Sequence, residues 1–428
     1  MSSVIFKKAL YQTIAEALRE RIVSGRYRPG EKIPAIRHVA EEFGCNKLTV
    51  QKAFDRLKQQ GYIENVVGSG SYVKYPEKIH APGGFYDFKT NYPSESFFPY
   101  QQARRIINAL FDNEREGTLL PPPAEGDPEL IQILSRYYNV PAERVLVISG
   151  AQQGLDLVGK VFAAPLSESM LFEDPTYPGA ITLFKARHFV EMAADGPCID
   201  LLDRQLTARI RLFYTMPAVH NPTGVAYSAE KKESVAERAR RHPFYIVEDD
   251  FLGEMRQDGG GRFVDICPER TIYIKSLSQT TGAGIRLGFM VVPEDLRERF
   301  LYAKFSSDIG SFGLLQKMMR DFIKGGYYQA YLQTLKEKAD WRRRRLTALL
   351  HEFSALSLPF PQNGFSLWIR SVIPLDLLHA PWRKGEEFSF SNASRSCFRL
   401  SFMHLDDAAF EQGVFYLTDL WRRIAGNV

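Results

Sequence analysis

Six short apolar runs constrain this chain more than any other feature: "RVLVIS" (144–149), "SMLFED" (169–174), "IRLFYTM" (210–216), "FYIVED" (244–249), "TIYIKS" (271–276) and "GFMVV" (288–292). None alternates apolar with polar residues, so each needs cover on both faces. Helical stretches such as "AQQGLDLVGKVFA" (151–163) and "SAEKKESVAERARRH" (228–242) lie between them. Strands buried on both faces and separated by helices predict an α/β unit around a largely parallel sheet. In such sheets ligands bind beyond the carboxyl ends of the strands.

The chain has 428 residues, enough for two or three domains. Its 45% hydrophobic and 25% charged content is that of an ordinary globular protein. No apolar run has the length of a membrane span, and the start "MSSVIFKK" lacks a signal-peptide core, which together predict a cytoplasmic protein. The four cysteines, at 45, 198, 267 and 397, form no closely spaced pair, so no metal site is expected. Charge is uneven: residues 1–75 carry 13 Lys and Arg against 7 Asp and Glu, a surplus of +6 in a chain of net +5. A basic module attached to a near-neutral body is the footprint of a nucleic-acid-binding domain, although a solvated basic face would look the same by charge alone.

That first segment is patterned. Leu10, Ile14, Leu18 and Ile22 recur every four residues, a helical stripe that Gly25 can end. A Pro29-Gly30 turn precedes a second helix from about Ala35 to Gly44. A third helix follows, with Val50, Phe54 and Leu57 inward and Lys47, Gln51 and Lys52 outward. "YIENVVGSGSYVKY" reads as two strands around a Gly-Ser-Gly turn. This order is that of a winged helix-turn-helix, whose third helix starts in the major groove of double-stranded DNA.

The stretch "PGEKIPAIRHVAEEFGCNKLTVQKAFDRLKQQGYIENVVGSGSYV" resembles the GntR family almost position by position. Its departures are Ile33 and Ala35 in a Leu-Pro-Ser step, Asn46 and Lys47 for Ser-Arg, and Ser71 for Thr. The resemblance implies that Arg37, Asn46, Lys47 and Thr49 touch phosphates or base edges, with Gln51 and Lys52 close by. It also implies that Gly70 lets the wing approach the DNA backbone. Taken singly, Asn46 could equally cap the third helix and Arg37 could sit in a surface ion pair.

The organisation expected is therefore a DNA-binding domain over 1–75, a linker over 76–88 and a large domain over 89–428. Within the large domain, "ISGAQQGLD", "EDPTYPGA", "HNPTG", "EDDF", "KSLSQTTGAGIR" and "FRLSF" occur in the order and spacing that resemble fold-type I aminotransferases. With the first module, the whole chain resembles the MocR subfamily of GntR regulators. The resemblance implies an aminotransferase-like fold with a smaller C-terminal α+β part, a homodimer, and a pocket for pyridoxal 5'-phosphate. Clustered hydroxyls with one arginine, here Ser276, Ser278, Thr280, Thr281 and Arg286, are also what a phosphate needs on chemical grounds. By resemblance Gly150, Ala151 and Gln152 hold the phosphate from a helix N-terminus, completed by Ser276, Ser278 and Arg286. Tyr177 stacks on the pyridine ring, Asn221 bonds its phenolic oxygen, Asp249 pairs with its nitrogen, and Arg399 holds an incoming carboxylate.

Four positions depart from the family's pattern, the first of them at the centre of its chemistry. The lysine expected seven residues before the phosphate arginine is Gln279, and a carboxamide cannot form a Schiff base. Lys275 is placed in the preceding strand. Phe251, Ala283 and Ile131 stand where the family has tyrosine, proline and arginine. The expectation is a transcription regulator without catalysis, sensing a small anionic effector. That effector is a noncovalently held pyridoxal or pyridoxamine 5'-phosphate in one form of the reading. The competing readings are an aminotransferase with an appended DNA module, and a regulator whose large domain is purely structural.

Overall fold

The computed structural model describes residues 10–425, apart from 24–25, 28–30, 60–61, 67–69, 74–85, 163–168, 186, 208, 257–259, 374–379 and 390–391. The chain divides into two compact units, residues 1–85 and 86–428.

In the first unit, α1 (Leu10–Val23), α2 (Ile36–Glu42) and α3 (Lys47–Gln59) precede a hairpin of β1 (Ile63–Val66) and β2 (Gly70–Val73). Ile14 and Leu18 of the α1 stripe are sealed in a core with Val39, Val50, Phe54, Leu57 and Ile63. Each such side chain withdrawn from water contributes about 1.5–3 kcal/mol, so this unit has a core of its own. Leu10, the first residue of the stripe, is instead exposed. The hairpin gains a third edge from the segment before α2: Ile33 N–H donates to Ser71 O (2.9 Å) and Val73 N–H to Glu31 O (2.9 Å). Gly25, the Pro29-Gly30 turn and the tip of the wing lie outside the described residues.

The second unit is built on an eight-stranded sheet in the order β3-β10-β9-β8-β7-β4-β5-β6. The six apolar runs supply β3 (Val145–Ile148), β4 (Met170–Asp174), β7 (Leu212–Thr215), β8 (Tyr245–Asp250), β9 (Thr271–Ser276) and β10 (Gly288–Val291). β5 (His188–Ala193) and the two-residue β6 (Gly196–Pro197) extend one edge. Those two escape sequence reading because β5 mixes polar and apolar residues and is only half-buried. Strands β9, β8, β7, β4 and β5 are parallel, and β10 runs against both of its neighbours. Helix Ala151–Phe162 covers one face through Leu155 and Val158, against Ile272 and Ile274 of β9; Tyr273 packs in the core on the other face.

A second sheet, β11-β12-β14-β13 (Leu356–Ser357, Ser366–Ser371, Cys397–Ser401 and Arg383–Lys384), is antiparallel. With helices Tyr327–Leu350 and Asp407–Ala425 it forms the smaller C-terminal part. The linker expected over 76–88 ends earlier than its composition suggests. Phe88 is fully buried, its N–H donates to Pro381 O (2.9 Å) and its carbonyl accepts from Ser401 N–H (2.8 Å). Residues 76–85 lie outside the described residues.

Candidate functional site

The pleat of β8 and β9 decides which side chains meet. Successive residues of a strand face opposite sides of the sheet. On β9, Ser276 follows Ile272 and Ile274 toward helix Ala151–Phe162, while Lys275 follows Tyr273 to the other side. On β8, Asp249 follows Val247 and lines the same cavity as Ser276, whereas Asp250 is the cross-strand partner of Lys275.

Beyond the carboxyl ends of these strands lies a cavity of about 540 Å³. Its lining brings together Ala151, Gln152, Tyr177, Asn221, Asp249, Ser276, Ser278, Gln279, Arg286 and Arg399, nearly every large-domain residue singled out from sequence. Gly150 stands just behind the wall. Its φ of +87° and the room it leaves both suit glycine, since a Cβ there would sit 3.0 Å from Arg286 Nη2. Arg286 makes one long bond, from Nη2 to Ser149 O (3.3 Å), and is otherwise exposed toward the cavity. The backbone amides that open helix Ala151–Phe162 stand beside it, an arrangement suited to an anion.

Several expected contacts are already occupied within the protein. Ser278 Oγ donates to Ile285 O (2.8 Å), closing the turn that carries Arg286. The hydroxyls of Thr280 and Thr281 donate to Leu277 O, so they brace the short helix Ser278–Thr281 rather than face a ligand. The Asn221 side-chain Oδ1 accepts from Arg399 Nη1 (2.8 Å), and Arg399 Nη2 donates to Lys89 O (2.9 Å). The turn presenting Asn221 is held by Gly224 N–H donating to His220 O (2.7 Å), with Gly224 at φ +75°.

Three buried acceptors in the lining have no partner: Asn91 Oδ1, Asp249 Oδ1 and Gln279 Oε1. The other Asp249 oxygen accepts from the Tyr214 hydroxyl (2.7 Å). Burial pushes the Asp249 carboxyl up to about 7, the Tyr214 bond opposing and the charge of Asp250 adding. Burial likewise pushes the Arg399 guanidinium down to about 9, helped by Arg383 and opposed by Glu387. Arg399 is only 4% exposed, and its Nε is also without a partner. A carboxylate delivered to Arg399 would restore its preference for charge.

Lys275 does not reach this cavity. Its ammonium is fully buried on the far side, 3.1 Å from Asp250 and 2.6 Å from Glu254. Sequence reading missed Lys89, Thr90, Asn91, Tyr92, Met216, Arg383 and Glu387, which also line the cavity. Arg383 and Glu387 form an ion pair (2.7 Å) four residues apart, the one feature that local spacing could have flagged. Among the described residues no group of three or more His, Cys, Asp and Glu side chains is placed to hold a metal ion, and no helix is long and apolar enough to cross a membrane.

In the first unit, Arg37 on α2 and Lys47 and Lys52 on α3 are exposed. Asn46 is the cap of α3: its Oδ1 accepts from Thr49 N–H (2.8 Å) and Thr49 Oγ1 (2.9 Å). Gln51 Nε2 donates to Asp55 (3.0 Å), and Arg37 Nε donates to His38 Nε2 (3.2 Å). Gly70 has φ +128°, and a Cβ there would lie 2.7 Å from Lys32 Cε. The positive φ is what suits glycine here, since the far end of the exposed Lys32 side chain can move aside.

A three-helix module with a wing, ahead of an α/β unit with a cavity at its strand ends, defines a two-part class of regulator-like protein. The chain belongs to the aminotransferase class I and II family over residues 92–408, and residues 10–73 match the bacterial regulatory proteins of the gntR family. It is 24% identical over 461 residues to the probable rhizopine catabolism regulatory protein MocR of Rhizobium meliloti, covering 95% of this chain and 92% of that one. It is 25% identical over 472 residues to the HTH-type transcriptional regulator TauR of Rhodobacter capsulatus, covering 95% of each. The alpha-aminoadipate aminotransferase LysN of Thermus thermophilus, solved with N-(5'-phosphopyridoxyl)-L-leucine, shares the fold. Its TM-score is 0.71 at 24% identity, over 81% of this chain and 94% of that one.

Proposed function

We propose that this protein is a cytoplasmic, DNA-binding transcription regulator whose large domain forms a homodimer and senses a vitamin B6 phosphate held without a covalent bond. The observation that carries the reading is the set of three unpaired buried acceptors, Asn91 Oδ1, Asp249 Oδ1 and Gln279 Oε1, in a cavity that also holds Arg286 and a helix N-terminus. A buried acceptor without a donor costs about 1–3 kcal/mol, which a ligand with suitably placed N–H groups would recover. A protonated pyridine nitrogen suits Asp249, and a phosphate suits Arg286 with the amides of Ala151 and Gln152. Tyr177 offers a ring face, and burial pushes its phenol up, so it stays neutral.

In aminotransferases this cofactor acts as an electron sink once a lysine holds it. Here Gln279 occupies the lysine's place in sequence, and Lys275 is locked behind the sheet by two carboxylates. Among the described residues Lys89 is the one lysine in the cavity lining, and it is exposed. Ligand recognition therefore stands ahead of turnover.

Dimerisation is supported by an apolar surface on the large unit. Tyr302, Phe305, Ile309 and Phe312 are all exposed on helix Arg297–Asp308 and the segment after it. Leu119 and Leu120 are also exposed, and a Cβ on Gly313 would lie 3.3 Å from Leu120 O, so the two stretches adjoin. Ile309 adopts φ +59° while 70% exposed, a strained backbone for a β-branched residue that a partner surface would hold in place. A ligand bound more tightly by one arrangement of the dimer would shift the placement of its two DNA modules.

The test is a calorimetric titration with pyridoxal 5'-phosphate and pyridoxamine 5'-phosphate, beside Arg286→Ala. Saturable binding weakened about 10- to 100-fold in the variant is expected, the worth of a charge-assisted phosphate contact. No binding of either compound to the native protein would overturn the B6 reading. Turnover of any amino acid with pyridoxal 5'-phosphate would restore the enzyme reading.

A further inference from the structure

The outer face of α3 carries an anomaly. Val50, Ala53, Phe54 and Leu57 are sealed in the core of the first unit. The opposite stripe, at positions 48, 51, 52 and 55, holds Gln51, Lys52 and Asp55 together with Leu48, which is 75% exposed. Leu48 is three-quarters exposed there, outside the core of the unit, on an otherwise polar face. It is also the second residue of the helix, one step past Lys47 and two past the Asn46 cap.

Two neighbours that could read bases by hydrogen bonding are partly committed elsewhere. Asn46 Oδ1 holds the amide and hydroxyl of Thr49, and the Gln51 amide is tied to Asp55. Leu48 has no such commitment. The start of a recognition helix is the part that reaches base edges, and Lys47, Lys52 and Arg37 around it supply the charge that draws in phosphates. In the major groove the apolar group on a base edge is the 5-methyl of thymine.

We propose that Leu48 reads a thymine in each half-site of the operator through the thymine 5-methyl group. The inference rests on the DNA-binding reading and adds a base identity to it. The experiment uses the full-length protein. A preferred duplex is first selected from a random-sequence pool, and then each thymine is replaced singly by deoxyuridine, which removes only the methyl. For the native protein one thymine per half-site should lose about fourfold in affinity, the worth of one buried methyl. Leu48→Ala should bind the thymine and deoxyuridine duplexes equally, with its circular dichroism unchanged because the side chain lies outside the core. Leu48→Met, which keeps an apolar side chain of similar volume, should retain the methyl preference. A selected site with no methyl-sensitive thymine, or a methyl effect that persists in Leu48→Ala, would overturn the proposal while leaving DNA binding intact. Failure to select any sequence would overturn both.

Discussion

Asp249 and Asp250 are neighbours on β8, both buried, yet their carboxyls are shifted in opposite directions. Asp250 faces away from the cavity, where Tyr273 donates to it (2.6 Å), Lys275 donates at 3.1 Å, and Gly253 N–H completes the set. Burial works to raise its carboxyl, but Lys275, Tyr273 and Gly253 outweigh burial and hold it below the usual carboxylate range. Asp249 has one donor, Tyr214, and an oxygen with none. Burial therefore wins, and its carboxyl rises to about 7. The Asp250 cluster is electrostatically complete and reads as structure, although Glu248 on the same face, bonded by two backbone amides, is pushed up to about 8 by burial. The Asp249 site is incomplete and reads as a receptor. The difference comes from a one-residue step along a pleated strand, which sends consecutive carboxylates to opposite faces.

The complete side should be the more fragile to mutation. Lys275→Met would leave Asp250 and Glu254 buried without their cation, and Glu254 also accepts from the hydroxyls of Tyr138 (2.7 Å) and Tyr328 (3.1 Å). Removing one partner of a buried ion pair costs about 3–5 kcal/mol, the largest effect expected here. Urea unfolding of the isolated variant measures it. A loss under about 1 kcal/mol would break the contrast, because it would show that the cluster tolerates the same incompleteness as the cavity.

Asp249→Asn tests the incomplete side and should act in the opposite direction. Because the folded chain favours its acid form, Asp249 contributes stability below the ordinary carboxylate range and loses it as pH rises through about 7. The asparagine variant should therefore melt higher than the native protein at pH 8, on the order of 2 kcal/mol, with a smaller gain at pH 5.5. It should also bind pyridoxamine 5'-phosphate less tightly. Equal melting at both values of pH would show that Asp249 is solvated or paired in solution, and the receptor reading would lose its main support.

How much of this was legible beforehand follows from the range of the interactions. The six buried runs and the α3 core face were readable because periodicity and apolarity are local. Asp249, Tyr177 and Arg286 were readable because each sits in a short motif whose order is itself informative. Hydroxyl direction was not: Thr280 and Thr281 turn back to Leu277 O, a choice set by the helical turn preceding them. Lys89 was invisible because it arrives from a distant segment, and only tertiary packing brings the residues after Phe88 beside Arg399. β5 was lost because a strand near the sheet's edge, covered only by the two-residue β6, need not be apolar.

The smallest expected change in stability attends the change that most sharpens the contrast. Gln279→Lys places an amine in the cavity lining, four residues from a native lysine that cannot enter it. As the position is only half-buried and Gln279 Oε1 makes no bond, folding should change by about 1 kcal/mol or less. The ligand chemistry should change much more. With pyridoxal 5'-phosphate the variant should gain visible absorbance and, after borohydride reduction, a stable adduct mapped by mass spectrometry to position 279. The native protein treated identically should show none at Lys275, whose ammonium is held by Asp250 and Glu254 and whose neutral form is correspondingly disfavoured. An adduct at Lys275 in the native protein would mean that the two sides of the sheet communicate, and the division between a finished and a receptive face would have to be abandoned. An adduct at Lys89 would instead keep that division and move the reactive amine to the opposite wall of the cavity.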